Sequence, residues 1–271
     1  MKSKTSICII TLFVLTMVFI AEAKITVLGE LTHEFTTQQG KTYQGVITLS
    51  NNGDEPQETK VYQTDYLFFC DGRDIYGEPG ELPRSNAGWI TFSPKRFIIP
   101  PKSTYDVNFS IQIPQNESLV GTYWSLIMVE GVPLSSLEST IPNEGKSSTM
   151  GIAIGIRYAV QIVAHIEETG KCEPNFIDMK LEKKDNTKFL QIDMENTGER
   201  WMRPTLLIEL YDDSGEQIGT YEGGKLRIYP GTSVRFSVNM TDVPKGNYKA
   251  MIIADCGNED IFGATFTLSL K

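Results

Sequence analysis

Apolar and polar residues alternate along almost the whole chain, and a period of two is the pattern of β-strands. Glycine, proline, asparagine and aspartate interrupt the alternating segments at short intervals, as at Asn52-Gly53-Asp54, and such clusters predict turns. No stretch after residue 23 keeps a helical period of 3.6 for more than about ten residues. The sequence therefore predicts an all-β protein.

The length of the chain favours two β-sandwiches in tandem. About 248 of the 271 residues remain once the first 23 are set aside, and one immunoglobulin-like sandwich needs about 100. We predict an amino-terminal immunoglobulin-like sandwich over residues 24–168 and a carboxy-terminal one over residues 169–271. Residues 132–149 are rich in Ser, Pro, Glu and Gly without alternation, which predicts a mobile loop in the first domain.

The first 23 residues have the layout of a cleaved secretory signal peptide. Two lysines precede an apolar run over residues 7–20, and Ala21 and Ala23 frame the predicted cleavage site. The apolar run is short for a membrane span, and no later run reaches membrane length. We therefore expect an exported protein, in a periplasm or on the cell surface, with no membrane span after cleavage.

The charge of the chain argues against two classes of partner. The sequence has 34 Asp and Glu against 25 Lys and Arg, a net charge of -9, and no basic stripe. Recognition of nucleic acids and of anionic membranes depends on clustered Lys and Arg. The expected partner is instead a protein client or another component of the cell envelope.

Residues suited to catalysis or metal binding are sparse. His33 and His165 are the only histidines, and neither lies in a nucleophile-elbow or zinc-protease motif. Cys70, Cys172 and Cys256 follow the signal at spacings unlike those of a zinc site. We therefore predict a non-enzymatic protein with neither a metal nor a cofactor.

Two of these cysteines can form a disulfide in an oxidising compartment. Cys172 and Cys256 are the predicted pair, because both fall in the second half of the chain. The sequence equally allows the alternative in which both thiols stay free.

The most regular alternation in the chain runs from Met150 to Ile166. Small residues lie between the apolar ones near its start, and a flat edge of this kind invites another chain to pair with it. Either the apolar face packs wholly inside its own sandwich, or its first half binds a partner. The apolar residues that share this face are Met150, Ile152, Ile154, Ile156, Tyr158, Val160 and Ile162.

Short motifs in both halves follow one another in an order that resembles a known family. The first half contains Ser50-Asn51-Asn52-Gly53, Trp89-Ile90, Ser93-Pro94, Ile98-Ile99-Pro100-Pro101, Ile111-Gln112-Ile113-Pro114 and Gly121-Thr122-Tyr123. The second half contains Asn196-Thr197-Gly198, Pro230-Gly231 and Gly246-Asn247-Tyr248. Together they resemble the tandem domains of the PapD-like periplasmic chaperones of pili and of the WxL-interacting proteins of cell surfaces.

The resemblance to the chaperones implies a mode of binding. In that family the long last strand of the first domain adds to an unfinished client subunit, a form of β-strand addition. The family also holds the terminal carboxylate of the client with a basic residue on the first strand and a Lys on the last. Here the first strand offers Lys24, Gln161 takes the place of the last-strand Lys, and Arg157 is the nearest basic residue. The predicted partner-binding residues are Met150, Ile152, Ile154, Ile156, Arg157 and Tyr158.

Two functions follow from these observations. The first is a periplasmic chaperone-like factor that assembles surface or fimbrial proteins by strand addition. The second is a surface adhesion or peptidoglycan-binding module of the WxL-interacting type, with loops such as residues 69–86 as its binding surface. That second family ordinarily carries a carboxy-terminal membrane anchor, and we expect none here, which favours the first function.

Overall fold

Strands form the regular structure of the first half, as the alternation predicts. The computed structural model describes residues 25–133, 138–141, 156–257 and 260–270. A single turn of 3-10 helix at Ala87–Trp89 precedes the sixth strand. The strands are β1 (Ile25–Leu28), β2 (Thr32–Thr37), β3 (Thr42–Asn51), β4 (Gln57–Phe68), β5 (Asp74–Gly77), β6 (Ile90–Ser93), β7 (Arg96–Ile99), β8 (Ser103–Gln112), β9 (Gly121–Val132) and β10 (Arg157–Ile166).

Two sheets enclose the core of this first sandwich. One sheet has the order β1-β3-β8-β6, and the other has β2-β10-β9-β4-β5 with β7 beside β4. Leu49 and Val107 of the first sheet and Ile127 of the second are fully buried between them. The chain changes sheets between β1 and β2 at Gly29, whose φ of 90° favours glycine.

The second half forms a separate sandwich with its own core. Its sheets have the orders β11-β12-β15 and β14-β13-β16-β17, and Ile208, Phe236 and Ile252 are fully buried between them. The prediction of two tandem immunoglobulin-like sandwiches is therefore confirmed. The strands are β11 (Pro174–Lys184), β12 (Thr187–Asn196), β13 (Thr205–Tyr211), β14 (Gln217–Lys225), β15 (Ser233–Asn239), β16 (Gly246–Asp255) and β17 (Ile261–Leu270).

A few strands differ from their sequence patterns. The alternation over residues 90–99 predicts one strand, but β6 ends at Ser93, just before Pro94, which has no N–H to donate to a ladder. Residues 216–221 and 225–229 predict two strands. Instead β14 continues from Gln217 to Lys225 through a register shift at Gly223, and residues 226–229 are not part of a strand, although Ile228 forms an isolated bridge to Met202. The short strands β2 and β5 were missed by the alternation altogether.

The predicted mobile loop, residues 132–149, contacts the sheet where it is described, and its mobility stays a prediction. Val132 belongs to β9, and Glu58 of β4 accepts hydrogen bonds from the backbone N–H of Thr140 at 2.7 Å and from the Ser139 hydroxyl at 3.2 Å. Arg96 also donates to this carboxylate, whose residue is 1% exposed. Residues 134–137 and 142–149 of the loop lie outside the described residues.

The predicted signal peptide, residues 1–23, also lies outside the described residues. Among those that are described, no helix combines the length and the apolar character needed to cross a membrane. We propose the division between the two domains at residues 168 and 169, since β10 ends at Ile166 and β11 begins at Pro174.

Candidate functional site

Strand β10 has two halves with different neighbours. All ten of its residues pair antiparallel with β9. On its other side β2 runs parallel to it, but only opposite Gln161–Ile166, the segment that we call the enclosed half. Arg157–Val160, the open half, pairs with β9 alone within the part of the chain that the structure describes.

The backbone of the open half presents hydrogen-bonding groups away from β9. The N–H of Gln161 donates to the carbonyl of Leu31 at 2.8 Å, on the β2 side. Backbone groups of successive residues point to opposite sides of a strand, so those of Ala159 and Arg157 point to the same side as those of Gln161. No described strand lies there to receive them. An exposed edge of this kind is a template for another strand.

The apolar face of β10 serves its own sandwich. Val160 and Ile162 are fully buried in the first core, and Tyr158 is partly buried against it. For these three side chains, the apolar face therefore packs inside its own sandwich. Ile156, just before β10, keeps 43% of its surface exposed. The predicted partner residues Met150, Ile152 and Ile154 lie outside the described residues, and their role stays a prediction.

Arg157 lies opposite Glu130 of β9 and takes part in a local polar network. A hydrogen bond with Tyr62 raises the pKa of Arg157, and the charge of Glu130 acts in the same direction. Lys60 forms an ion pair with the same Glu130 at 3.9 Å. The guanidinium is therefore shared with its own sheet rather than held ready for the carboxylate of a client.

Gln161, which takes the position of the family's clamp lysine, is used inside the molecule. The hydroxyl of Tyr229, from the second domain, donates to its side-chain oxygen at 3.0 Å. Lys24, the first-strand candidate, lies outside the described residues. Near Gln161, Glu34 of β2 forms an ion pair with Arg227 of the second domain, and this ion pair joins the two domains.

Aromatic side chains from the two domains meet beneath the enclosed half. Trp124 of β9 stacks on Tyr229 with ring centroids 4.7 Å apart and an interplanar angle of 15°. Fully buried Val163 of β10 belongs to the same apolar cluster. Arg227 lies over the ring of Trp201 at 4.8 Å from the centroid. These contacts cover the outer face of the enclosed half and fix the second domain against it.

His165 lies at the centre of this domain junction. Its Nδ1 is 3.1 Å from the hydroxyl of Thr122, and its ring stacks on Trp201 at 5.5 Å. Its Nε2 is buried without a hydrogen-bond partner, 3.6 Å from a carboxylate oxygen of Glu34. Burial lowers the pKa of His165, although the charge of Glu34 opposes this shift. The neutral ring is therefore favoured in the folded protein.

The two domains also touch backbone to backbone. The N–H of Thr122 donates to the carbonyl of Glu199 at 2.9 Å. Gly121, beside it, has a φ of 77°, and a Cβ added there would lie 2.0 Å from the same carbonyl oxygen. Only glycine fits this contact.

The predicted alternative binding surface, residues 69–86, is tightly anchored in its second part. Fully buried Asp65 accepts hydrogen bonds from the N–H of Gly80 at 3.1 Å and of Leu82 at 2.9 Å, and from the Ser85 hydroxyl. The side chain of Asn86, also fully buried, donates to the carbonyl of Ile162 on β10 at 2.9 Å. This segment is therefore a shaped surface beside the domain junction.

The predicted cysteine pair lies in one region of the second domain but is not bonded. Cys70, Cys172 and Cys256 all carry free thiols, and the last two pack against the core of the second sandwich. Burial, with a smaller effect of Cys172, raises the pKa of Cys256 to about 12. Formation of the disulfide stays a prediction. Within the described ranges, no group of three or more metal-ligating side chains is gathered in one place.

Comparisons with known proteins find similarity at the level of structure. No family profile matches the sequence, and no curated protein matches it. A chain from a chaperone–tip adhesin complex of CFA/I fimbriae biogenesis is 14% identical, with a TM-score of 0.49, and the match covers 90% of this chain and 98% of that one.

Two further solved structures are similar over the same extent. The class 5 fimbriae chaperone CfaA is 14% identical with a TM-score of 0.47, covering 90% of this chain and 98% of that one. A structure of the CsuC–CsuE chaperone–tip adhesion subunit complex of Acinetobacter baumannii Csu pili is 12% identical with a TM-score of 0.44, covering 91% and 99%. At identities of 12–14% these similarities concern the fold alone.

Proposed function

We propose that this protein is an exported, non-enzymatic, chaperone-like factor that binds a protein client of the cell envelope by β-strand addition. The open half of β10 is the proposed site. The observation that carries the proposal is the change of neighbours along one strand. Strand β2 pairs with Gln161–Ile166, whereas among the described strands Arg157–Val160 pairs with β9 alone.

The position of the open half suits an added strand. An incoming strand can pair with the free backbone groups of Arg157 and Ala159 and must stop where β2 begins, because Leu31 already accepts the N–H of Gln161. The β2–β10 pair therefore sets one end of the site. The rigid domain junction holds the rest of the strand still while the client binds.

Backbone pairing, rather than a charge clamp, supplies the affinity in this proposal. Arg157 interacts with Tyr62 and Glu130, and Gln161 accepts a hydrogen bond from Tyr229. A client bound here is therefore recognised by its extended backbone and its alternating side chains. We expect its capture to depend only weakly on salt, since few exposed charges contribute.

Other edge strands of the molecule provide the competing sites. Strand β11 carries Lys180, Glu182, Lys183 and Lys184 and an irregularity near Phe176, features that protect an edge from pairing. Among the described strands β17 pairs with β16 alone, and it has no charged residue. Strand β17 is therefore the competing site for strand addition that an experiment has to distinguish from the open half of β10.

A backbone substitution at Ala159 tests the proposal. Proline at this position removes the N–H that points away from β9 and leaves the ladder with β9 in place, whereas valine keeps the N–H. We expect Ala159→Pro to reduce capture of envelope proteins by the immobilised protein at least about tenfold. Ala159→Val, the matched control, keeps full capture, and thermal denaturation verifies that both variants are folded.

Two further experiments distinguish this proposal from binding at β17 and from the surface-module function. Lysines introduced at Thr265 and Thr267 of β17 leave capture unchanged if the open half of β10 is the site. The proposal is wrong if these lysines abolish capture while Ala159→Pro does not. Binding of the wild-type protein to purified peptidoglycan, unaffected by Ala159→Pro, supports the surface-module function instead.

A further inference from the structure

Strand β17 is an edge strand without the features that keep an edge from pairing. Its ladder with β16 runs over all ten residues without a register shift. The segment Ile261–Leu270 contains neither a charged residue nor a proline. The other edge of the same sheet, β14, has two register shifts against β13 and carries Glu222 and Lys225. Bulges and charges of this kind protect an edge, so β17 is the unprotected edge of this sheet.

The outer side of β17 presents a full row of backbone hydrogen-bonding groups. In the hairpin that joins β16 to β17, the N–H of Cys256 donates to the carbonyl of Asp260 at 3.0 Å. Successive residues of a strand point their backbone groups to opposite sides, so the even-numbered residues of β17 bond to β16 and the odd-numbered ones point away from it. The residues that point away, where no described strand lies, are Ile261, Gly263, Thr265, Thr267 and Ser269.

The apolar face of β17 is incompletely buried. Leu268 and Leu270 are 5% and 2% exposed, whereas Phe262, Ala264 and Phe266 on the same face are only partly buried. Both phenylalanines pack against the core of the second sandwich. A further strand beside β17 would extend the sheet past these two rings and remove more of their apolar surface from water, which favours association.

The sequence of β17 complements itself when two copies run antiparallel. A two-fold axis at Thr265 places Phe266 of one copy opposite Ala264 of the other, so that a large side chain meets a small one. The same axis places Thr265 opposite its own counterpart, and cross-strand threonine pairs can hydrogen-bond. Odd-numbered residues then oppose odd-numbered residues, so each outward N–H meets a carbonyl of the other copy. The occupant that fits this edge is therefore a second copy of the chain.

The distribution of charge agrees with a second copy. The chain has a net charge of -9, so two copies repel each other wherever their acidic surfaces meet. The uncharged strand avoids this repulsion. In the sequence Asp260 precedes β17 and Lys271 follows it. Antiparallel pairing about Thr265 therefore brings the acidic end of each strand beside the basic end of the other, whereas parallel pairing would bring like charges together.

We propose that the protein forms a two-fold symmetric dimer through β17. The four-stranded sheets β14-β13-β16-β17 of two copies join into one continuous sheet, and Thr265 lies at the two-fold axis. This inference does not rest on the proposed function, because β17 belongs to the second domain and the open half of β10 belongs to the first.

Sedimentation equilibrium tests the dimer. We expect the wild-type protein to form a dimer that dissociates on dilution. Thr265→Lys places two like charges directly opposite each other and should weaken dimerisation at least about tenfold. Thr220→Lys, the matched control, makes the same change at an exposed threonine of β14 and should leave dimerisation unchanged. Thermal denaturation verifies that both variants are folded.

Disulfide cross-linking tests the register. With copper–phenanthroline and O₂ as the oxidant, Thr265→Cys should give covalent dimers, because the two new thiols face each other at the axis. In this register residue 267 lies opposite residue 263 of the other copy, about 13 Å along the strand from its own counterpart. Thr267→Cys should therefore not cross-link above the wild type, which measures the background from the native thiols of Cys70, Cys172 and Cys256.

Three outcomes would overturn the proposal. The first is a wild-type protein that stays monomeric at every concentration tested. The second is a dimer that the folded Thr265→Lys variant forms as tightly as the wild type. The third is cross-linking of Thr267→Cys that equals or exceeds that of Thr265→Cys.

Discussion

The two halves of β10 carry the same sequence pattern and have opposite surroundings. Val160 and Ile162, one in each half, are equally buried in the first core. The halves differ in their backbone and outer-face neighbours: β2 and the second domain contact the enclosed half, and within the described residues neither contacts the open half. Apolar alternation therefore reports which face of a strand is buried, but it does not report which edge is paired.

The enclosed half is predicted to be the more sensitive to side-chain truncation. Ile162→Ala removes a fully buried side chain and should lower the free energy of unfolding by about 3 kcal/mol. Ile156→Ala, at the 43% exposed residue next to the open half, should change it by less than about 0.5 kcal/mol. Urea denaturation measures both. If the two variants lost a similar amount of free energy of unfolding, the two halves of β10 would not differ in burial and packing as described.

The domain junction behind the enclosed half is predicted to depend on Gly121. Gly121→Ala places a Cβ against the carbonyl of Glu199 and should cost about 2 kcal/mol or more and loosen the junction. Gly215→Ala is the matched control, because Gly215 also has a positive φ, 85°, but has open space around it. Denaturation and small-angle scattering compare the two. If both variants lost the same free energy of unfolding and kept the wild-type radius of gyration, a tight backbone contact between the domains would be contradicted.

The segment that follows β9 is predicted to be tied to the sheet by Glu58. Burial raises the pKa of this carboxyl, but hydrogen bonds from Thr140, Arg96 and Ser139 outweigh that effect and lower the pKa from 4.5 to about 2. Glu58→Gln should therefore cost about 2 kcal/mol of stability at pH 7.

The pH dependence of this loss follows from the lowered pKa. The stabilisation by Glu58 is complete above pH 4.5 and is lost as the pH falls through about 2, so the difference between wild type and variant should narrow over that interval. Glu117→Gln, at an exposed residue, should show no such difference. If the difference in the free energy of unfolding between wild type and Glu58→Gln did not change with pH, an ionised, hydrogen-bonded carboxylate at Glu58 would be contradicted.

His165 is predicted to make the junction sensitive to mild acid. The folded protein lowers the pKa of His165 below 6.5, so the unfolded chain binds the proton more tightly. Stability should fall as the pH drops from 7 towards 5, and the fluorescence of Trp201, which stacks on this ring, should change with it. His165→Gln should remove both effects, whereas His33→Gln, at a partly buried ring that contacts Phe109 away from Trp201, should leave the fluorescence change. A fluorescence change that survives His165→Gln would exclude this histidine as its source.

Much of the fold follows from the sequence. Alternation locates most strands and the all-β class, and the turns at glycine and proline separate them. The short strand β2 was missed because Thr32–Thr37 carries only one strongly apolar residue, Phe35. Its strand conformation depends on parallel pairing with β10, more than a hundred residues away in the sequence.

The domain junction could not be predicted for a similar reason. Trp201, Arg227 and Tyr229 have no pattern that distinguishes them from other partly apolar turn residues. Their role arises from contacts with Glu34, Trp124 and His165 in the other domain. His165, noted in the sequence for its chemistry, was the one local signal, since its ring is buried in the junction.

Hydrogen exchange at the open half tests the central claim most directly. With a captured client bound, the backbone N–H groups of Arg157 and Ala159 should exchange at least about tenfold more slowly than in the free protein, because an added strand accepts them. Those of the enclosed half should change little, since β2 and β9 already pair with it. A bound client that leaves exchange at Arg157 and Ala159 unchanged would contradict strand addition at this site.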